Sequence, residues 1–215
     1  MKIIYFLPHL GKGGAEELVC DLSNDMSHKQ DATLYLLYRT VESKNKLYRL
    51  NAKVSVKYLI NYELNSLSKV RSILLIISYL IAPIVCLYIF LHEKLWTYDI
   101  IHINLTQPSF YMIFFKIMSI IINSKSIYVQ TSHSNYDLLE GMAKYINICS
   151  WYFNDVFIYE IYESDVINFE RFMPCSKIHY LPFGYCNSHI PIKNYSLIPE
   201  LTDLDLSLVK IFMTI

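Results

Sequence analysis

The sequence predicts an α/β protein in which a parallel β-sheet carries helices on both faces. Short apolar runs of strand length alternate with longer stretches of helical periodicity, the pattern of strand–helix–strand units. The chain is 53% hydrophobic and only 18% charged, so it can fill a large core. At roughly 150 residues per domain, 215 residues correspond to one complete domain and a remnant.

The first elements are a strand, a helix and two more strands. Residues 2–7 form an apolar run with β-branched and aromatic members and lead into a glycine-rich stretch, as a buried strand ending in a loop does. Glu16 and Glu17 fit the first turn of the following helix, where the dipole favours acids. Its apolar positions are three and four residues apart: Ala15, Leu18, Val19 and Leu22. Residues 32–38 and 54–59 read as strands.

Strands and helices continue to alternate in the second half. Further strands are predicted over residues 98–103, 126–130, 155–159 and 178–181. Helices are predicted over residues 109–122, 141–152 and 164–172. The polar residues 191–205 then read as a linker, and 206–215 as the first strand of a second domain. The expected division is therefore a domain over 1–190, a linker and the start of another domain.

Charge and cysteine content exclude several classes of protein. Lys plus Arg equals Asp plus Glu at 19 each, so there is no general electrostatic attraction to nucleic acid. The odd number of scattered cysteines indicates reduced thiols and a cytoplasmic protein; they are Cys20, Cys86, Cys149, Cys175 and Cys186. The first residues read as a strand and not as a signal peptide.

Residues 72–91 are free of charge and long enough, at about 1.5 Å per residue, to cross a bilayer. Predicted strands of one sheet lie on both sides of this segment, and a bilayer cannot divide a sheet. We therefore favour a helix packed on the sheet and kinked at Pro83. Because residues 44–71 are strongly basic, peripheral membrane contact through residues 44–95 stays open.

The glycines after the first strand are the clearest candidate site. Gly13 and Gly14 at a helix start allow close approach to the backbone, and free N–H groups there can bind a diphosphate. A tight turn without a ligand explains the same residues. The dinucleotide pattern G-x-G-x-x-G fails because Glu16 stands at its last glycine, and the P-loop pattern is absent. A nicotinamide enzyme and a P-loop ATPase are therefore disfavoured.

Two further side chains lie where open α/β sheets bind ligands, at the carboxyl ends of strands. His133 follows a predicted strand and can hydrogen-bond a hydroxyl or exchange a proton, although a structural histidine fits as well. Asn104 lies near the end of another strand and can contact a substrate. His102, inside that strand, is more typical of a hydrogen-bonded core histidine.

No metal site is predicted. One series of potential ligands has none of the common zinc spacings and is crossed by a predicted strand: Cys175, His179, Cys186 and His189. No Ser/His/Asp triad or Cys/His pair can be assembled either.

Five segments in order resemble glycosyltransferase family 4, whose enzymes have the two-domain GT-B fold. Gly13-Gly14-Ala15-Glu16 resembles the family's G-G-A-E, Asp99-Ile100-Ile101-His102 its D-I-I-H strand, and Gln130-Thr131-Ser132-His133 its strand ending in T-x-H. Residues 155–165 and 176–184 resemble later segments, with Glu160 and Phe183 as departures. The match covers about residues 1–190, the Rossmann-like acceptor-side domain.

The resemblance implies retaining transfer of a sugar from a nucleotide-sugar donor, without an obligatory metal or other cofactor. His133 would be the catalytic residue that contacts the transferred sugar. Gly13 and Gly14 would bind the donor diphosphate, and Glu16 and Asn104 would face the acceptor. The basic stretch and the apolar helix suggest a saccharide or lipid-linked acceptor, in cell-surface polysaccharide or glycolipid assembly on the inner face of the cytoplasmic membrane.

The family's donor-holding E-x7-E belongs to the second domain, so these 215 residues are not expected to transfer sugar alone. One alternative is a catalytically inactive, truncated remnant that binds only an acceptor or a membrane surface. Another is a Rossmann-like nucleotide-binding enzyme unrelated to sugar transfer.

Overall fold

A computed structural model describes residues 1–11, 13–40, 43–63, 77, 79–132, 141–159, 166–171 and 177–180. Its strands are β1 (Lys2–Leu7), β2 (Asp31–Arg39), β3 (Ser55–Glu63), β4 (Ile100–Asn104), β5 (Ile127–Ser132), β6 (Val156–Tyr159) and β7 (Ile178–Tyr180). Its α-helices are α1 (Gly14–Ser27), α2 (Ser43–Leu47), α3 (Ala82–His92), α4 (Thr106–Ile121), α5 (Gly141–Phe153) and α6 (Val166–Glu170). A 3₁₀ turn, Leu95–Thr97, precedes β4. The predicted linker and second-domain strand, 191–215, lie outside the described residues.

The seven strands form one sheet in the order β3-β2-β1-β4-β5-β6-β7, and every neighbouring pair is parallel. The arrangement is Rossmann-like and confirms the predicted α/β class. Because β1 lies between β2 and β4, the strand order changes direction at β1. This topological switch point determines where the sheet can offer a ligand site.

Both faces of β1 are buried, which explains its uninterrupted apolar sequence. Ile4 and Phe6 pack in a core with α3 and α4, and the Phe6 ring lies 5.3 Å from that of Phe115. Tyr5 and Leu7 point to the opposite face, where they share a second core with α1. The predicted covering of both faces by helices is confirmed.

The sequence predicted one helix over residues 72–91 with a kink at Pro83, and the described part differs. A turn at Ile81 separates the helical residues 79–80 from α3, and Pro83 lies in the first turn of α3. The missing N–H of proline breaks no hydrogen bond at that position, so Pro83 starts a helix here. The inner side of α3 packs on the sheet, as expected. Among the residues described, no helix has the length and apolar character needed to cross a membrane.

Candidate functional site

The candidate site lies at the carboxyl ends of β1 and β4, which flank the switch point. The glycine loop follows β1, and Leu105 connects β4 to α4. Ligands of open parallel sheets bind in the crevice outside such a pair of strands. We call residues 8–11, 13–14 and 104–105 the switch-point rim.

Gly13 and Gly14 have different surroundings at the rim. Gly13 caps α1 with an extended backbone, and no side chain caps the helix there. A Cβ atom on Gly13 would overlap the Glu16 carboxylate, whereas a Cβ atom on Gly14 would meet no heavy atom within 4 Å. Glycine at position 13 is therefore favoured by the protein's own packing, and open space lies beside Gly14.

Glu16 folds back onto the glycine loop from the first turn of α1. Its side chain is buried, and Oε1 lies 3.0 Å from where Gly11 would carry a Cβ atom. A carboxylate is stabilised at a helix N-terminus by the partial positive charge there. Lys46 Nζ donates to the Gly13 carbonyl over 3.1 Å and brings a cation to the same loop.

His9 is a rim residue that the sequence analysis did not single out. Its ring stacks on Tyr38, with centroids 5.1 Å apart, and Nε2 lies 3.1 Å from the Cβ position of Gly11. His9 and the Glu16 carboxylate thus approach the same glycine. In the sequence, the position of His9 between the end of a strand and the glycines could have indicated that it lies at the rim.

Two hydroxyl groups hold the loop against the end of β2. Thr40 Oγ1 and Ser43 Oγ lie 2.8 Å apart, and they donate to the Leu10 carbonyl over 3.4 and 3.3 Å. Both side chains are buried. These bonds fix the backbone of the loop that precedes α1.

Asn104 ends β4 at the rim and is completely buried. Its predicted contact with an acceptor stays a prediction. Nε2 of His102, two positions earlier, lies 2.6 Å from Thr131 Oγ1. The ring centroids of His102 and Tyr5 are 5.3 Å apart. His102 is therefore a core histidine, as the sequence indicated.

Leu105 has a backbone conformation that normally requires glycine, with φ 70° and ψ 164°. Such strain costs about 1–3 kcal/mol and is concentrated at functional sites. Ser109 holds the strained peptide, because its hydroxyl donates to the Leu105 carbonyl over 2.7 Å. Nothing in the sequence around a leucine signals this strain.

The segment leading to His133 ends at the same edge of the sheet. β5 pairs with β4 and finishes at Ser132. At about 4.8 Å per strand, the end of β5 lies roughly 10 Å from the end of β1. His133 itself lies outside the described residues, so its predicted role is unchanged.

Three cationic side chains of the basic stretch, residues 44–71, form hydrogen bonds or ion pairs with other parts of the protein. Besides Lys46, Arg49 pairs with Glu17, and this hydrogen bond lowers the pKa of the Glu17 carboxyl. Lys57 pairs with the buried carboxylate of Glu93. Cys175, Cys186 and His189 fall outside the described chain, and the described part contains no cluster of three potential metal ligands.

Comparison with models of known protein families and with curated proteins finds no match for this chain.

Proposed function

We propose that this chain is the acceptor-side domain of a retaining, nucleotide-sugar-dependent glycosyltransferase similar to family 4. The observation that carries the proposal is the position of the G-G-A-E segment. This segment begins the helix after β1, at the switch point of an all-parallel sheet. β5, which leads into the T-x-H segment, is the second strand from β1 in the sheet. A diphosphate-bearing donor and a hydroxyl-bearing acceptor suit such a crevice.

The proposed roles follow from the surroundings of each residue. The open side of Gly14 gives a donor diphosphate access to the first turn of α1, where N–H groups stabilise negative charge on the leaving group. Removing one such donor costs about 100-fold in rate in comparable oxyanion sites. Lys46 adds positive charge beside the same loop.

Glu16 has a different role, because its carboxylate repels a diphosphate but accepts hydrogen bonds from sugar hydroxyls. We assign it, with Asn104, to the acceptor. His133 contacts and orients the transferred sugar. The acceptor is a saccharide or a lipid-linked saccharide of cell-surface polysaccharide or glycolipid assembly, and the mechanism involves no metal or other cofactor.

The test is transfer from radiolabelled nucleotide-sugars to a membrane extract, by the protein as it occurs in the cell. His133→Ala is expected to abolish transfer without changing the unfolding transition. His28→Ala is the matched control, because His28 is exposed at the far end of α1 and should retain full activity. Normal turnover by His133→Ala would remove that residue from the site.

The alternative is a non-catalytic protein that binds only an acceptor or a membrane surface. The Glu16 carboxylate beside the glycine loop favours it, because it opposes the binding of an anion. Incubating the 215-residue chain with membranes and labelled nucleotide-sugars separates this alternative from an active domain, since any transferred label excludes it. Tight binding of NAD or ATP, with no binding of a nucleotide-sugar, would contradict both and indicate an unrelated nucleotide-binding enzyme.

A further inference from the structure

The outer side of α3 carries a row of exposed aliphatic side chains. Leu80 precedes the helix and is 77% exposed, and Ile84 within it is 71% exposed. Leu87 and Leu91 continue the row at helical spacing, and both are about half exposed. The inner side of α3 packs in the core, so this surface helix is apolar all round.

The neighbouring helix also exposes aliphatic side chains. α4 packs beside α3, and its last turns expose three isoleucines. We define the apolar face as these seven side chains: Leu80, Ile84, Leu87, Leu91, Ile117, Ile120 and Ile121. A group of exposed aliphatic side chains of this kind is typical of a contact with a partner or a membrane.

Two lysines and a tryptophan lie just after the C-terminal ends of α3 and α4. Lys94 and Lys125 are exposed there, and Trp96 is 39% exposed. Ser126 holds the two segments together by donating to the carbonyls of Leu95 and Tyr98 over 3.3 and 2.7 Å.

The carboxylate nearest in sequence to this cluster is already neutralised. Glu93 directly follows α3 and is buried, and it pairs with Lys57 and with His92. Asp99, after the 3₁₀ turn, is also exposed, and its Oδ2 accepts the backbone N–H of Lys2 over 2.7 Å. Within residues 92–99 and 122–126, Lys94 and Lys125 therefore outnumber this one exposed carboxylate.

We propose that the apolar face binds the surface of an anionic lipid bilayer. The aliphatic row lies at the boundary between headgroups and acyl chains, with α3 parallel to the surface. Lys94 and Lys125 then reach the lipid phosphates, and Trp96 lies at headgroup level, where tryptophan is enriched. This inference is independent of the sugar-transfer proposal, because it uses no residue of the rim.

The experiment is flotation of the whole chain with two kinds of vesicle, phosphatidylcholine alone and phosphatidylcholine mixed with phosphatidylglycerol. The wild type should bind the mixed vesicles more tightly. The triple variant Ile84→Gln, Leu87→Gln, Leu91→Gln should lower the partition coefficient by about 100-fold on the mixed vesicles. Tyr48→Gln is the control, because this side chain is 87% exposed but follows α2, away from the apolar face.

A second variant tests the charge. Lys94→Gln with Lys125→Gln should weaken binding to the mixed vesicles by about fivefold per lysine and leave binding to phosphatidylcholine unchanged. Both substitutions are on exposed side chains, so this variant also answers the question if the triple variant fails to fold. A wild type that binds neither vesicle overturns the proposal. The proposal is also overturned if light scattering shows that the wild type is a dimer that does not bind vesicles and that the triple variant is a monomer. A second copy of the chain would then cover the face.

Discussion

α1 and α3 cover opposite faces of the same sheet, and their outer surfaces differ. The outer positions of α1 include the exposed Asp21 and Asp25, whereas those of α3 are aliphatic. Both helices bury a similar inner side, with Cys20 of α1 and Cys86 of α3 in the two cores. Contact with the sheet therefore accounts for the amino-acid composition of α1. In α3 it accounts for the apolar residues of the inner side but not for those of the outer side.

The two helices also differ in what their ends provide. α1 begins at the switch-point rim, and no side chain caps its first turn. α3 ends at the opposite edge, beside Lys94 and Trp96. The proposed ligand crevice at one edge of the sheet is therefore separate from the proposed lipid-binding surface on one face.

The largest expected effect separates the two sides of α3. Ile89→Ala removes a completely buried side chain and should lower the free energy of unfolding by about 2–5 kcal/mol. Leu87→Ala, on the outer side, should change it by less than about 0.5 kcal/mol. Urea unfolding of the two variants measures both values. Equal losses would show that the outer side of α3 is packed in solution.

A second test compares the thiols of α1 and α3 with the exposed Cys149. Burial raises the pKa of Cys20 to about 11, and it also raises the pKa of Cys86. For Cys20 this lowers the thiolate fraction at neutral pH by roughly 100-fold. Alkylation followed by peptide mapping should therefore label Cys149 at least about 100-fold faster than either buried thiol.

The same shift has a consequence for stability. The folded state holds the Cys20 proton more tightly than the unfolded state does. The contribution of Cys20 to the free energy of unfolding is therefore fully present below the ordinary pKa of 9 and is lost as the pH rises to about 11. Cys20→Ala should make the unfolding free energy less sensitive to pH in that window. An unchanged pH dependence, or fast labelling of Cys20, would contradict the packing of α1.

The class of fold was predictable because strands buried on both faces leave an uninterrupted apolar signal. β1 and β2 were predicted to within a residue or so for this reason. β3 was predicted to end at residue 59 but continues to Glu63. It is an edge strand in which Ile60 and Asn61 are exposed, so the apolar signal stops before the pairing does.

The candidate site was predictable only in part. A glycine doublet after a strand and before a helix indicates a crevice from sequence alone, and Gly13 and Gly14 do lie at the switch point. The stacking of His9 and the strained backbone of Leu105 depend on contacts between distant segments. No local pattern of residues encodes them.

The smallest expected effect distinguishes the two glycines of the rim. Gly13→Ala must displace the Glu16 carboxylate and should cost about 1 kcal/mol of unfolding free energy, because the end of a flexible side chain can move. Gly14→Ala meets open space within a helix and should stabilise the fold by about 0.5–1 kcal/mol. In a Glu16→Ala background, the cost of Gly13→Ala should fall to about 0.5 kcal/mol, the disadvantage of alanine relative to glycine at an N-cap. Thermal unfolding of the double-mutant cycle measures this coupling. An undiminished cost without Glu16 would show that the backbone of Gly13, and not the carboxylate, requires glycine.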